Sequence, residues 1–202
     1  MNIIGASGHG KVIVDILQAN GIAISGIWDD NELIREFMGF PVIGNVDDCL
    51  KMEVSPLIIA IGHNIIRKRI AEQFISSVFG KAIHPSAVIS QGSAIEAGAV
   101  AMANSTVNTG TVIGKHVIVN TNASVDHDCS IGNFVHISPQ AGLAGNVSVG
   151  EGTHIGVGAS IIQGIKIGKW CIIGAGAVII RDVPDGATVV GNPGRIIKKD
   201  RP

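Results

Sequence analysis

The sequence predicts two architectures in tandem. A small α/β, Rossmann-like subdomain spans residues 1–82, and an all-β parallel solenoid of hexapeptide repeats with a C-terminal cap spans residues 83–202. Three observations carry this prediction. From Ile89 to Ile179 every sixth residue is Ile, Leu or Val, with Ala101 the one departure. Glycine recurs at intervals of 18 in the same stretch, at Gly114, Gly132, Gly150 and Gly168 and again at Gly156 and Gly174. Before the switch at Lys81–Pro85 neither period is present, and short apolar runs alternate with amphipathic ones.

The first subdomain assembles in chain order. "NIIG" reads as a short buried strand, "ASGHG" as a turn, and "KVIVDILQANG" as a helix that glycine ends. "IAISGIWDD" is a second strand with Asp29 and Asp30 at its C-terminal end, and "PLIIAIG" is a third. "HNIIRKRIAEQF" then forms an amphipathic helix with a basic face. Strand–helix alternation of this kind implies a small parallel sheet.

The solenoid follows from the period. A six-residue repeat matches no helix but matches a triangular coil whose flat faces each turn one aliphatic side chain inward. Two positions before the inward aliphatic the residue is small or β-branched, as at Ala99, Ser105, Thr111, Ala123, Cys129, Ala141 and Ala177. Three hexapeptides close one coil, so residues 18 apart stack. Glycine in a fixed corner column is expected to supply backbone angles that cost other residues energy. With coils roughly 4.8 Å apart, about five of them make a prism on the order of 25 Å tall.

Composition limits the function. The chain has 202 residues, a net charge of −1, 15% charged and 46% hydrophobic residues. Such a balance provides no field for nucleic acid or an anionic membrane, and it implies extensive burial, part of it between subunits. No apolar run approaches the roughly 18 residues of a membrane span. "MNIIGASGHGK" lacks the layout of a secretory signal. Cys49, Cys129 and Cys171 form no CxxC pair and fit reduced thiols. Cys129 and Cys171 fall at the small inward position and read as buried hydrophobes. A cytoplasmic protein is expected.

Candidate chemistry gathers at two places. The turn from Gly5 to Gly10 joins the first strand to the first helix, where free N–H groups attract phosphate. Its G-x-x-G-x-G spacing departs from the usual dinucleotide fingerprint. Asp29 and Asp30 end the next strand on the edge where open α/β sheets bind ligands, and Gly62, His63 and Asn64 follow the third strand there. Three converging loops indicate a nucleotide-type site. In the solenoid, "ASVDHDCSIG" places His127 two residues past inward Val125, near a corner, and Gly145 stacks above it, 18 residues on. His136 and His154 are also 18 apart and form an outward column on a different face. That column can join the His127 site only across a subunit interface. His84 reads as structural, His116 as solvent-facing and Asp126 as a bystander.

Taken together, "GASGHG", "WDD", "AIGHNIIRKRI", "VNTNASVDHDCSIGNFVHIS", "GLAGNVSVG" and "VVGNPGRIIKK" resemble the PglD/NeuD-type sugar acetyltransferases over nearly the whole chain. The resemblance implies a nucleotide-sugar domain followed by a left-handed β-helix, acetyl-CoA as co-substrate, and a homotrimer with active sites between subunits. PglD-like members acetylate the C4 amine of a UDP-linked 4-amino-4,6-dideoxy sugar, which makes UDP the expected nucleotide. NeuD-like members are associated with O-acetylation of sialic acid, the alternative reading. By the same resemblance His127 matches the catalytic histidine and Asp128 the acidic residue beside it, a glutamate in PglD-like enzymes. Gly145 matches the main-chain donor to the thioester carbonyl. Gly8, His9, Asp29, Asp30, Asn64 and Asn120 match substrate-binding positions, and His136, Gly145, Val157 and Ala175 match acetyl-CoA positions.

The chemistry fits these residue types. A sugar amine arrives largely protonated, and histidine, titrating near about 6.5, can accept its proton without costly tuning. A carboxylate on the other ring nitrogen fixes the tautomer, the logic of a hydrolase triad without its nucleophile. No suitable serine or cysteine accompanies His127, so direct attack on acetyl-CoA is expected. Two other classes compete. Zinc-dependent β-helix carbonic anhydrases carry histidines five residues apart, a spacing absent from this sequence, so no metal is expected. A non-catalytic nucleotide-sugar sensor would show no turnover.

Overall fold

The computed structural model describes residues 1–199. Five strands, β1 (Asn2–Ile4), β2 (Gly26–Trp28), β3 (Glu36–Phe37), β4 (Phe40–Gly44) and β5 (Leu57–Ile59), form one sheet in the order β3-β4-β2-β1-β5. β1 pairs in parallel with β2 and β5, and all three are buried throughout. That burial is why their sequences run apolar without alternation. β3 and β4 add an antiparallel edge hairpin that the sequence pattern does not announce, turned by Met38 and Gly39, both at positive φ.

Helix α1 (Gly8–Ala19) turns Ile13, Val14, Ile16 and Leu17 into the core against this sheet. Each such aliphatic contributes on the order of 1.5–3 kcal/mol on burial. The short helix α2 (Val46–Lys51) starts in a capping box, in which the Asn45 side chain accepts from Asp48 N and Asp48 accepts from Asn45 N. Helix α3 (Asn64–Gln73) departs from the expected basic outer face. Lys68 stays at the surface, but Arg67 is 1% exposed, because this side of the helix packs against the solenoid rather than facing water.

The chain enters the solenoid at β6 (Ala82–Ile83), which pairs with β9 (Val100–Ala101). Two-residue strands β7–β22 run from Val88–Ile89 to Val178–Ile179 in three parallel sheets. Their registers pair residues 18 apart, as Val107↔Val125, Ile113↔Ile131 and Val119↔Ile137. The fold is the expected left-handed β-helix. One continuous core holds the inward aliphatics and the small residues between them, Cys129 and Cys171 included. β23 (Ala187–Val190) extends the sheet of β6 and β9, and β24 (Arg195–Lys199) pairs antiparallel to it.

The corners correct the sequence reading of the glycine columns. Left-handed backbone falls three residues past the inward aliphatic, on Gly98, Gly110, Gly152, Gly158, Gly164 and Gly176 but also on Asn104, Asn122, Asp128, Gln140 and Asn146. The columns at 18-residue intervals stand elsewhere and do not have positive φ. A β-carbon on Gly132 would lie 2.8 Å from Glu151 N, and one on Gly150 would lie 2.6 Å from the Gly168 carbonyl carbon. Glycine is required there because the next coil's backbone is too close, not because of its torsion angles.

The α/β part sits on one outer face of the prism, the face of β9, β12 (Ile118–Val119), β15 (His136–Ile137) and β18 (His154–Ile155). Val100, Met102 and Ile118 share a core with Ile3, Ile13 and Leu17, and Phe134 joins Ile4, Trp28 and Phe74. His116, expected at the surface, is 4% exposed between Phe79 and Phe134, with ring centroids at 4.5 and 5.2 Å. Packing of the α/β part over its corner removed it from water. Among the described residues no helix is long and apolar enough to cross a membrane.

Candidate active site

His127 follows β13 (Ser124–Val125), just before a left-handed corner occupied by Asp128 at φ 58. That turn brings the carboxylate back onto the ring, with His127 Nδ1 2.8 Å from Asp128 Oδ2. The carboxylate accepts from Nδ1–H, so the Nε2 lone pair points away from it. Hydrogen bonding to Asp128 and then the charge of Asp126 raise the histidine's pKa above its ordinary value. Both side chains are open on the single chain, 50% and 59% exposed.

Asp126 is not the bystander that the sequence implied. Its Oδ1 accepts from Asn108 Nδ2 and from His127 N, both at 2.8 Å, so it anchors the segment that carries His127. Asn108 went unnoticed in the sequence, yet it lies one coil, 18 residues, before Asp126 and stacks beneath it.

Gly145 stacks on the imidazole as the repeat requires. A β-carbon there would lie 2.5 Å from both Cε1 and Nε2 of His127. Its N–H finds no acceptor among the described residues, so a main-chain donor beside the ring is left unpaired within the chain. Val157, 49% exposed, and Ala175 also stack 18 apart, but on the corner after the face of β18, a different edge from His127.

The expected nucleotide residues divide into two groups. Asp29 and Asp30 line a cavity of about 480 Å³ with Gly5, Trp28, Asn45 and Arg69. Asp29 Oδ2 accepts from Ala6 N at 2.6 Å and thereby ties β2 to the glycine-rich turn, while Asp30 Oδ1 accepts from Val46 N at 3.0 Å. Gly8 and His9 open α1 instead, where Ser7 supplies no side-chain cap. A β-carbon on Gly8 would meet nothing within 4 Å. His9 Nε2 is buried without a partner, and burial, with Arg67 nearby, lowers this histidine to about 4.

His9 belongs to a junction between the two halves. His136 Nε2 lies 3.1 Å from Asn120 Nδ2 and its Nδ1 lies 3.3 Å from Gly62 O. Burial, followed by the charges of His154, Arg67 and His9, pushes His136 down to about 3. The His154 ring packs edge-on at 5.0 Å, with Nε2 3.2 Å from Ser138 Oγ. A larger cavity of about 860 Å³ opens beside them, bounded by His63, Trp170 and Ile172. Asn64 lines it too, but its amide is committed elsewhere. Nδ2 donates to Gly152 O and Thr153 O while Oδ1 accepts from Arg67. Asn64 therefore joins α3 to the solenoid at the edge of this cavity. His84 meets its structural reading through Ser86 Oγ at 2.7 Å.

Comparison with known proteins places this geometry in context. Residues 1–74 match the PglD N-terminal domain, and residues 146–181 match the bacterial transferase hexapeptide of six repeats. The acetyltransferase domain of PglB from Neisseria gonorrhoeae, solved in complex with acetyl coenzyme A, is 42% identical with a TM-score of 0.92, covering 97% of this chain and 98% of that one. PerB from Caulobacter crescentus, in complex with CoA and GDP-perosamine, is 38% identical with a TM-score of 0.92, over 98% and 96% of the two chains. WeeI from Acinetobacter baumannii is 29% identical with a TM-score of 0.87, over 97% and 98%. An uncharacterized protein, L142, from Acanthamoeba polyphaga mimivirus is 34% identical over 109 residues, and the match spans 22% of its length.

Proposed function

This chain belongs to the PglD-type sugar acetyltransferases, and we propose that it acetylates the C4 amine of a nucleotide-linked 4-amino-4,6-dideoxy sugar with His127 as general base. The observation that carries the reading is one arrangement: Asp128 on His127 Nδ1 at 2.8 Å, and Gly145 against the Nε2 side. Further support comes from relatives solved with acetyl-CoA, CoA and GDP-perosamine.

Acetyl-CoA supplies the activated acetyl group. The residues present fit it, since the missing β-carbon of Gly145 leaves space at the base and its N–H is unpaired in the chain. His127 Nε2 takes the proton that the sugar amine loses as the new C–N bond forms. Asp128 stabilises the resulting imidazolium and holds its tautomer. The Gly145 N–H faces the negative charge that grows on the acetyl oxygen. As the C–S bond breaks, His127 returns its proton to the departing thiolate, so no covalent enzyme species is needed.

The sugar nucleotide is held, in this reading, by the helix start at Gly8 and His9, the acids Asp29 and Asp30, and Asn120 at the junction. UDP is the proposed nucleotide. His127 and His136 stand on different edges and faces of one prism, so a complete site needs a neighbouring chain. A homotrimer with sites between subunits meets that need, and the cytoplasm provides acetyl-CoA. The test is acetyl transfer to a panel of UDP-, GDP- and dTDP-linked 4-amino sugars and free sialic acid. Turnover of a UDP-linked 4-amino sugar upholds the reading. Turnover of sialic acid alone, or of nothing, overturns it.

A further inference from the structure

Arg67 is 1% exposed, and no carboxylate among the described residues forms an ion pair with it. A buried cation without an acid is costly unless its donors are satisfied. Here all of them are. Nε donates to His116 O at 2.9 Å, Nη1 to Ile61 O and Gly62 O at 3.0 Å, and Nη2 to Asn64 Oδ1 at 3.0 Å and Phe134 O at 2.8 Å. These bonds use the whole N–H set of a guanidinium. They tie the loop after β5 to two successive coils, because His116 and Phe134 stack 18 residues apart.

One of these acceptors serves a second donor. Gly62 O also faces His136 Nδ1 at 3.3 Å. Asn120 Oδ1 accepts from Thr121 N at 2.8 Å, which fixes the amide orientation and points Asn120 Nδ2 at His136 Nε2, 3.1 Å away. Hydrogen-bond donation therefore runs one way, from Thr121 through Asn120 and His136 to Gly62. The opposite tautomer would set Nε2–H against the Asn120 N–H and a bare Nδ1 lone pair against a carbonyl oxygen.

We propose that Arg67 is a positioning residue that fixes the Gly62 carbonyl and thereby locks His136 as its Nδ1–H tautomer at the junction of the two halves. The charged or titratable groups around His136 are His9 on α1, Arg67 on α3 and His154 on β18, and with burial they keep the ring neutral. The kinetic consequence rests on the acetyltransferase reading; the tautomer does not.

Nitrogen-15 NMR of histidine-labelled full-length protein, with His136 assigned through His136→Gln, reads the tautomer directly. The unaltered protein should show Nδ1–H and no titration of His136 from pH 8 to 5. Arg67→Lys keeps the charge with fewer, differently placed donors. It should mix the tautomers and raise KM for acetyl-CoA by about 10-fold or more, with kcat changed less. Arg67→Gln is the second variant, with the same expectation. Lys68→Ala cuts the Lys68–Glu151 bridge between the same helix and the solenoid and should leave the His136 spectrum and KM unchanged. An Nε2–H ring in the unaltered protein overturns the proposal, as does a folded Arg67→Lys or Arg67→Gln with an unaltered His136 spectrum. If neither variant folds, the tautomer of the unaltered protein decides. A changed tautomer without any turnover in the unaltered protein upholds Arg67's role and removes the enzymatic reading.

Discussion

Gly145 lies so close to the His127 imidazole that a β-carbon on it would stand 2.5 Å from Nε2. An imidazole, the carboxylate on its Nδ1 and an unpaired main-chain N–H thus come from two adjacent coils. That relation makes the base, its partner and the glycine separately testable.

Replacing His127 with Ala should lower kcat by about 10²–10⁴, the usual contribution of a positioned general base. The side chain is half exposed, so the fold should be unaffected by circular dichroism. Near-normal turnover in a folded variant would sink the assignment.

Asp128→Gly separates catalysis from conformation. At φ 58 the aspartate occupies a backbone region that glycine enters freely. Relief of about 1–2 kcal/mol is offset by glycine's extra chain entropy of about 0.5–1 kcal/mol. The melting temperature should therefore barely move while kcat falls at least about 10-fold. Equal activity would show that the carboxylate does not act on the base.

Gly145→Ala should reduce kcat by about 10-fold or more, because the methyl group must push the ring off its position. Gly145 does not have positive φ, so the backbone tolerates alanine. A crystal structure with His127 unmoved and a lowered rate would point to the N–H instead; full activity would exclude both roles.

Stability should decline on acidification through histidine, not only carboxylate, titration. Burial, the largest cause, lowers His9 and His116 to about 4 and His136 to about 3. Below about 6.5 the unfolded chain binds protons that the folded chain refuses, so stability is full above that pH and is lost as pH falls toward 4 and then 3. Each such group contributes on the order of 1.4 kcal/mol per pH unit in that window. His127, whose pKa is raised, acts in the opposite sense and weakly because it is exposed. Urea unfolding between pH 7 and 5 should show a steep loss that His136→Gln lessens; a flat profile would contradict the burial of neutral histidines.

Asp29→Ala should raise KM for the nucleotide sugar more than for acetyl-CoA. Its Oδ2 holds Ala6 N at 2.6 Å, and the removal frees the glycine-rich turn beside the 480 Å³ cavity. Equal effects on both substrates would count against that pocket.

The repeat made much of this readable in advance. A six-residue period has one structural solution, and stacking at 18 residues places Gly145 over His127 and His154 beside His136 from the sequence alone. Asp128 followed from adjacency. Asn108 could have been found by the same rule, since it stands one coil from Asp126. The edge hairpin of β3 and β4 could not, because Glu36 and Phe37 make a strand only by pairing with Phe40 and Pro41.

By itself the sequence determined the solenoid, its inward column and the neighbours of His127, because coil stacking is a local, periodic rule. Tertiary structure alone decided the fate of Arg67, Asn64 and His116. Their own segments mark them as polar and outward, and only the α/β part folding onto the β12–β15 face turned those positions inward. A buried guanidinium is retained there because carbonyls from α3's own loop and from two coils converge on it, a set of partners that no local pattern in the chain encodes.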